Sequence, residues 1–296
     1  MLEFRDIDIS DKERINTALK FSGFMGCEYS FANNMAWKRL AESKITFFQD
    51  YYITCAFAAD DNIPAVSFPA GYGDFRELVS ELKAFSNNLG APLRFCSVTD
   101  SQLEMFNELY RGQFECELDR DGSDYIYNAS DLINLSGKKY HSKRNHLARF
   151  KELDYEFSQI AENDIDDCIA FLTETYNNKS SEHDHSYIAE QYAINTFFTY
   201  FNELDLKGGL IRINGKTAAV TLGEEIGGDT FCVHIEKADT SHNGIYTGIN
   251  NLFAAEFASD CRYINREEDL GLEGLRKSKL SYKPAFLLNK YIITFK

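Results

Sequence analysis

Apolar residues recur along this chain in two rhythms, one of period two and one of three to four, and their alternation predicts short strands between amphipathic helices. Ser10-Asp11-Lys12-Glu13 reads as the first helix start, with Ser10 as N-cap and Glu13 at the capping-box position. A second helix is predicted over 31–40 and holds the single tryptophan, Trp37. Strands follow over 46–48, 51–58 and 65–68, with Asp60-Asp61-Asn62 as the hairpin turn between the last two. A glycine-bearing loop over 69–74 leads into a helix whose Phe75, Leu78, Val79, Leu82, Phe85 and Leu89 share one face. A strand over 93–98, a helix over 100–109 and a strand over 124–127 close this half.

The second half begins with a strand over 155–160 and a helix capped by Asp164, with Ile165, Cys168, Ile169 and Leu172 on one side. A polar loop over 177–186 and a helix over 188–204 come next. Strands over 210–213 and 217–224 flank Asn214-Gly215, a strong type I′ turn signal. Then come a strand over 230–235, another glycine-bearing loop, a helix over 249–257, a strand over 262–265, a short helix over 272–280 and a final strand over 287–295. Both halves thus read hairpin, glycine loop, amphipathic helix, strand, an internal structural repeat. The mixed order with hairpins predicts an α+β fold, its boundary within 128–155. The expected division is 1–135, a junction helix over 136–153, and 154–296.

Composition narrows the function. The 296 residues suit about two domains. A net charge of -15 repels nucleic acid and anionic membrane on average. A polyanion must be met by a local patch, and 138–151 offers one, with six Lys or Arg and no Asp or Glu. DNA binding is not expected. No apolar run reaches the ~18–20 residues a membrane span needs, and the charged, mixed N-terminus is not a signal peptide. Seven cysteines without a CxxC pair read as free thiols in a reducing cytoplasm.

Four stretches carry candidate chemistry. In the junction helix, Tyr140, Leu147 and Phe150 make an apolar stripe on which Arg144 also falls, beside Lys143 and Asn145. A cation there needs a partner, either a carboxylate or an anionic ligand. On the strand over 230–235, His234 and Glu236 project to one side, as a general base or as a hydrogen-bonded pair in a half-buried sheet. The loop Ser241-His242-Asn243-Gly244-Ile245-Tyr246-Thr247-Gly248 opens a helix whose free N–H groups suit phosphate, or it is an ordinary turn. Glu267 and Asp269 leave a strand end with one residue between them, and Arg276 and Lys279 share a helix face. Two carboxylates would hold a cationic amine, or the four residues would form a fastening network. His183-Asp184-His185 lacks a third ligand at a recognised spacing, so no metal is expected.

The hairpin, strand, glycine loop, helix and strand order resembles the acetyltransferase (GNAT) superfamily. Gly244 matches the first Gly of its pyrophosphate loop and Gly248 falls at its Ala, whereas Ser241 replaces the Arg or Gln and Tyr246 the second Gly. The superfamily's final-helix Tyr acid has Lys277 in its place, with Tyr282 at the following Phe. A narrower resemblance rests on Lys143-Arg144-Asn145, on Tyr263-Ile264-Asn265-Arg266-Glu267-Glu268-Asp269-Leu270-Gly271, and on the run from Gly274 to Pro284. These are similar to the DUF2156 family, related to the catalytic C-terminal domain of phosphatidylglycerol lysyltransferases. That resemblance implies two tandem GNAT-like domains and transfer of an acyl or aminoacyl group from CoA or aminoacyl-tRNA. Here the membrane flippase segment has no counterpart, so a lipid acceptor is not implied. The expectation is a cytoplasmic transferase acting on a small amine. His234, Glu236, Glu267 and Asp269 would be catalytic. The donor would rest on Ser241, Asn243, Gly244, Tyr246, Thr247, Gly248, Lys143, Arg144, Asn145, Arg276, Lys279 and Tyr282. With a tRNA donor, Lys138, Lys139, Lys143 and Arg149 would meet phosphate. The rival is a non-catalytic binding module on the same fold.

Overall fold

In the computed structural model, which describes residues 2–58, 63–177 and 185–296, the alternating rhythms become strands β1 (Lys44–Phe48), β2 (Tyr51–Ala56), β3 (Ala65–Ser67) and β4 (Arg94–Val98). The helices of this half are α1 (Lys12–Ser22), α2 (Phe31–Trp37), α3 (Phe75–Asn88) and α4 (Asp100–Tyr110). The first helical turn is capped by Asp8 rather than Ser10, with Asp11 returning the second hydrogen bond of the box. The Asp60–Asn62 turn lies outside the described residues, although β2 and β3 pair antiparallel as its placement requires.

After β5 (Phe114–Asn128) and α5 (Ala129–Asn134), the junction helix is α6 (His141–Phe150). The second half holds β6 (Tyr155–Gln159), α7 (Ile165–Asn177), α8 (His185–Thr199), β7 (Lys207–Ile213), β8 (Lys216–Ile226), β9 (Thr230–Ala238), α9 (Ile245–Phe257), β10 (Tyr263–Asn265), α10 (Glu273–Ser281) and β11 (Phe286–Phe295). Asn214 and Gly215 both take positive φ, 52° and 76°, as a type I′ turn demands. His183 and Asp184 lie outside the described residues.

Among the described residues the strands form one 11-stranded sheet in the order β1-β2-β3-β4-β11-β5-β10-β9-β8-β7-β6. Each half runs through antiparallel strands into one parallel pair, β3 with β4 and β9 with β10. The closing strands are exchanged. β11, from the second half, pairs with β4, while β5, from the first, pairs with β10, and the two pair with each other along most of their length. β5 spans 15 residues, where alternation predicted only 124–127. Its earlier part carries Glu115, Glu117, Asp119, Arg120 and Asp121, which reads as loop by composition. A shared core also joins the halves, with Phe31, Met35 and Ile15 packing among Cys168, Leu172, Phe197 and Phe198. Burying apolar side chains of that size stabilises by about 1.5–3 kcal/mol each.

Candidate functional site

The cleft lies where the exchanged strands bring the halves together. It has a volume of about 690 Å³ and is walled by α2 and α8 side chains, by β9, by the segment after β10 and by α10. Trp37, Ile194, Val233 and Leu275 supply apolar wall. Six carboxylates line it, Glu28, Asp119, Glu190, Glu236, Glu267 and Glu268, against Lys237, Arg266, Lys279, Lys290 and the imidazole of His234. The cavity therefore favours a cation.

Its floor is a buried ion cluster. Lys290 on β11, 4% exposed, reaches Asp124 on β5 at 2.7 Å and Glu28 at 2.8 Å. Asp124, fully buried, also accepts from the Cys27 amide at 2.9 Å and from Asn265 Nδ2 at 2.8 Å. Burial raises the Glu28 carboxyl pKa against the opposing pull of Lys290. Glu28 Oε1 and Asn33 Oδ1, both of cleft-lining residues, have no hydrogen-bond partner among the described residues. Buried polar atoms of that kind are costly unless something satisfies them. Beside them Glu268 accepts from Cys27 Sγ at 3.4 Å, and burial followed by the Glu267 charge pushes its carboxyl up to about 7.

The expected alignment of His234 with Glu236 did not form a single pair. His234 is fully enclosed, its Nδ1 2.9 Å from Glu267 Oε1 and its Nε2 3.1 Å from Glu224 Oε1. Burial works to lower the imidazole pKa, but the Cys232 sulfur and both carboxylate bonds outweigh it, and the net shift is well upward. A ring held protonated is a poor general base. Glu236 instead meets Arg266 Nη2 at 2.7 Å and Asn250 Nδ2 at 2.8 Å. Arg266 stands 4.7 Å from the Tyr282 ring, which also carries the Lys143 ammonium at 3.4 Å, and Arg266 Nη1 has no partner among the described residues.

Glu267 and Asp269 also separate. The backbone at Glu267 turns to φ 56° and at Leu270 to φ 52°, so the extended alternation on which their shared side was based does not hold. Glu267 faces the cleft, whereas Asp269 is fully buried and is absent from its lining. Asp269 accepts from Arg276 Nε and Nη2 at 2.8 Å each, from Tyr125 Oη at 2.5 Å and from the Gly271 amide at 2.9 Å. The Arg276 hydrogen bonds hold its carboxyl far below the usual range. This pair fastens α10 to the sheet. Lys279 is a second fastener, donating to the carbonyls of Arg266, at 2.6 Å, and Glu268.

The predicted donor groups are divided. Tyr246 lines the cleft, while Ser241 and Asn243 are exposed, away from its lining. A Cβ on Gly244 would lie 2.1 Å from the His146 carbonyl oxygen, and one on Gly248 2.5 Å from the Phe150 ring. Thr247 is buried, 3.4 Å from Tyr282 Oη. The junction helix α6 is thus packed against the loop meant for phosphate. Arg144 neither enters a carboxylate pair nor lines the cleft, because its Nη1 donates to the carbonyls of Leu135 at 2.5 Å and Gly137 at 2.7 Å, closing the end of α5. Among the described residues Asn145 reaches His141, at 3.4 Å, and does not line the cleft. Sequence reasoning missed Glu28, Asp124 and Lys290, none of which sits in a motif. Glu268 was visible in the Glu-Glu-Asp run that leaves the strand, but it was not among the residues expected to be catalytic.

A family model described as "Phosphatidylglycerol lysyltransferase, C-terminal" matches residues 20–294. A crystal structure of a conserved protein of unknown function from Bacteroides thetaiotaomicron is 35% identical, covers all of both chains and superposes with a TM-score of 0.93. L-PGS from Bacillus licheniformis is 15% identical over 97% of this chain and 92% of its own, with a TM-score of 0.65. A tandem GNAT protein from the clavulanic acid biosynthesis pathway, 9% identical, covers 99% and 98% with a TM-score of 0.51. The fold is that of two tandem GNAT-like domains. An uncharacterised protein of Mycoplasmoides gallisepticum is 26% identical over 201 residues, and the match spans 63% of this chain and 61% of that relative. Among the described residues no helix is long and apolar enough to cross a membrane.

Proposed function

Because the chain belongs to the phosphatidylglycerol lysyltransferase C-terminal family, we propose that it transfers an acyl or aminoacyl group from a phosphate-bearing donor to an amine acceptor. The observation that carries this reading is the acidic cleft, where carboxylates outnumber cations and Glu28 Oε1 is unpartnered. Such a wall binds an ammonium and sets it beside a carboxylate able to take its proton. In the transfer the amine nitrogen attacks the donor carbonyl and a new C–N bond forms. The donor's C–O or C–S bond breaks and the leaving oxygen or sulfur is protonated.

Packing of α6 against Gly244 and Gly248 favours an aminoacyl-tRNA donor over CoA. The exposed cations of the junction, Lys138 and Arg149 among them, suit a phosphate backbone. CoA is the second reading, supported by Tyr246, which brings the start of α9 to the cleft edge. Calorimetry with CoA and acetyl-CoA, beside a transfer assay with radiolabelled aminoacyl-tRNA and a panel of amines, separates them. Transfer from aminoacyl-tRNA that falls at least tenfold in Glu28→Gln, with no heat from CoA, supports the first reading. Product from neither donor would remove the transferase reading and leave the binding module.

A further inference from the structure

We propose that Cys232, His234 and Glu267 form a binding site for a divalent transition metal of the zinc type, its fourth position open to the cleft. The sequence held no ligand set at a recognised spacing, because Glu267 lies 33 residues beyond His234 and reaches it only through the β9–β10 pairing.

Three donors of different kinds converge. His234 Nδ1 is 2.9 Å from Glu267 Oε1, and Cys232 Sγ is 3.8 Å from Nδ1 and 3.9 Å from Oε1. Zinc bonds of about 2.3 Å to sulfur and about 2.0–2.1 Å to nitrogen and oxygen set tetrahedral edges of roughly 3.3–3.6 Å. Each observed edge is therefore within about half an ångström of a ligand edge, a side-chain adjustment. Thiolate, imidazole and carboxylate together suit zinc or cobalt(II) and not magnesium or calcium. The three ligands carry two negative charges when bound, which a divalent ion neutralises.

A second observation is independent of the donor triangle. His234 turns its other nitrogen, Nε2, to Glu224 Oε1, which also accepts from Ser30. A carboxylate on the far nitrogen of a metal-bound histidine fixes the ring and its tautomer, as outer partners of such ligands commonly do. Phe197 stacks on the ring at 5.5 Å, restricting its rotation further. His234 and Glu267 both line the cleft while Cys232 lies behind them, so a bound ion would face the cavity.

The neighbouring group Cys27, Asp124 and Glu268 has a similar make-up. There the cationic place is already taken by the Lys290 ammonium, 2.7 Å from Asp124 and 3.5 Å from Cys27 Sγ. Among the described residues no ammonium takes the corresponding place beside Cys232, whose neighbours are His234 and Glu267.

The test is a cobalt(II) titration of the full chain after chelator treatment, followed by zinc competition. The expected result is one equivalent of cobalt with the strong visible bands of a four-coordinate ion and a near-ultraviolet thiolate charge-transfer band, displaced by zinc. The charge-transfer band should vanish in Cys232→Ser and persist in Cys27→Ser. Glu224→Gln should weaken binding about 10–100-fold without losing the band. Circular dichroism monitors folding, and if Cys232→Ser fails to fold, the wild-type stoichiometry with Glu224→Gln decides. Substoichiometric cobalt, octahedral spectra, a band that survives Cys232→Ser, or unchanged affinity in Glu224→Gln would overturn the proposal. None of these readouts depends on transferase activity.

Discussion

Replacing Lys290 with Met tests whether the exchanged strands are held by charge at the cleft floor. Removing one partner of a buried pair costs about 3–5 kcal/mol, since the remaining ion stays out of water. Asp124 would keep the Cys27 amide, Asn265 Nδ2 and a weaker contact from Cys27 Sγ at 3.4 Å, which softens its loss. Glu28 would keep only a long contact from Cys27 Sγ at 3.8 Å, its other oxygen being unpartnered already. The expected cost of Lys290→Met is therefore about 3–4 kcal/mol. Adding Asp124→Asn removes the stranded charge, and the double variant should be more stable than the sum of the singles by roughly 2 kcal/mol. Urea unfolding followed by Trp37 fluorescence and far-ultraviolet circular dichroism measures all four corners of the cycle. A single-variant cost under about 1 kcal/mol, or strict additivity, would show that the cluster does not hold the junction together.

Further outcomes follow from the same geometry. Arg144→Ala should lower stability by about 1–2 kcal/mol through two lost carbonyl bonds and leave donor binding unchanged; weakened binding at full stability would restore its ligand role. Gly248→Ala, whose Cβ would press the Phe150 ring, should cost about 1–3 kcal/mol by overpacking, read as a lower melting temperature. Burial, then the Arg266 charge, pushes the Lys143 ammonium down to about 8, below the ~10.4 of an unfolded lysine. Between those values the unfolded chain binds more protons, so the penalty is full below about 8 and fades as pH rises toward ~10.4. Wild type should therefore gain stability relative to Lys143→Met across that window, and a flat difference would argue against the shift.

The periodic part of the fold was readable because amphipathic faces such as that of α3 and the Asn214-Gly215 turn carry local signals. The junction helix was likewise visible, down to the buried Tyr140 and Phe150. Long-range pairing was not. The partners of β11 lie at 94–98 and 114–126, and no local pattern announces an exchange. Arg144 looked ready for a ligand because its partners are backbone carbonyls, which leave no trace in residue type. Asp269 seemed equivalent to Glu267 because the positive φ at Glu267 cannot be read from a run of acids. Lys290 was invisible as a site residue because it sits within an ordinary apolar strand.

The exchange of β5 and β11 also dictates an order of events during synthesis. Residues 1–128 supply β1 to β5, but the slot between β4 and β5 belongs to residues 286–295.

 

Until residues 286–295 leave the ribosome, β4 and β5 have no strand between them, and each presents an open edge. Open edges invite pairing with other chains, and closing contacts this distant in sequence is slow. A nascent first half is therefore exposed to misassociation until residues 286–295 are made, and β11 is the strand that seals it.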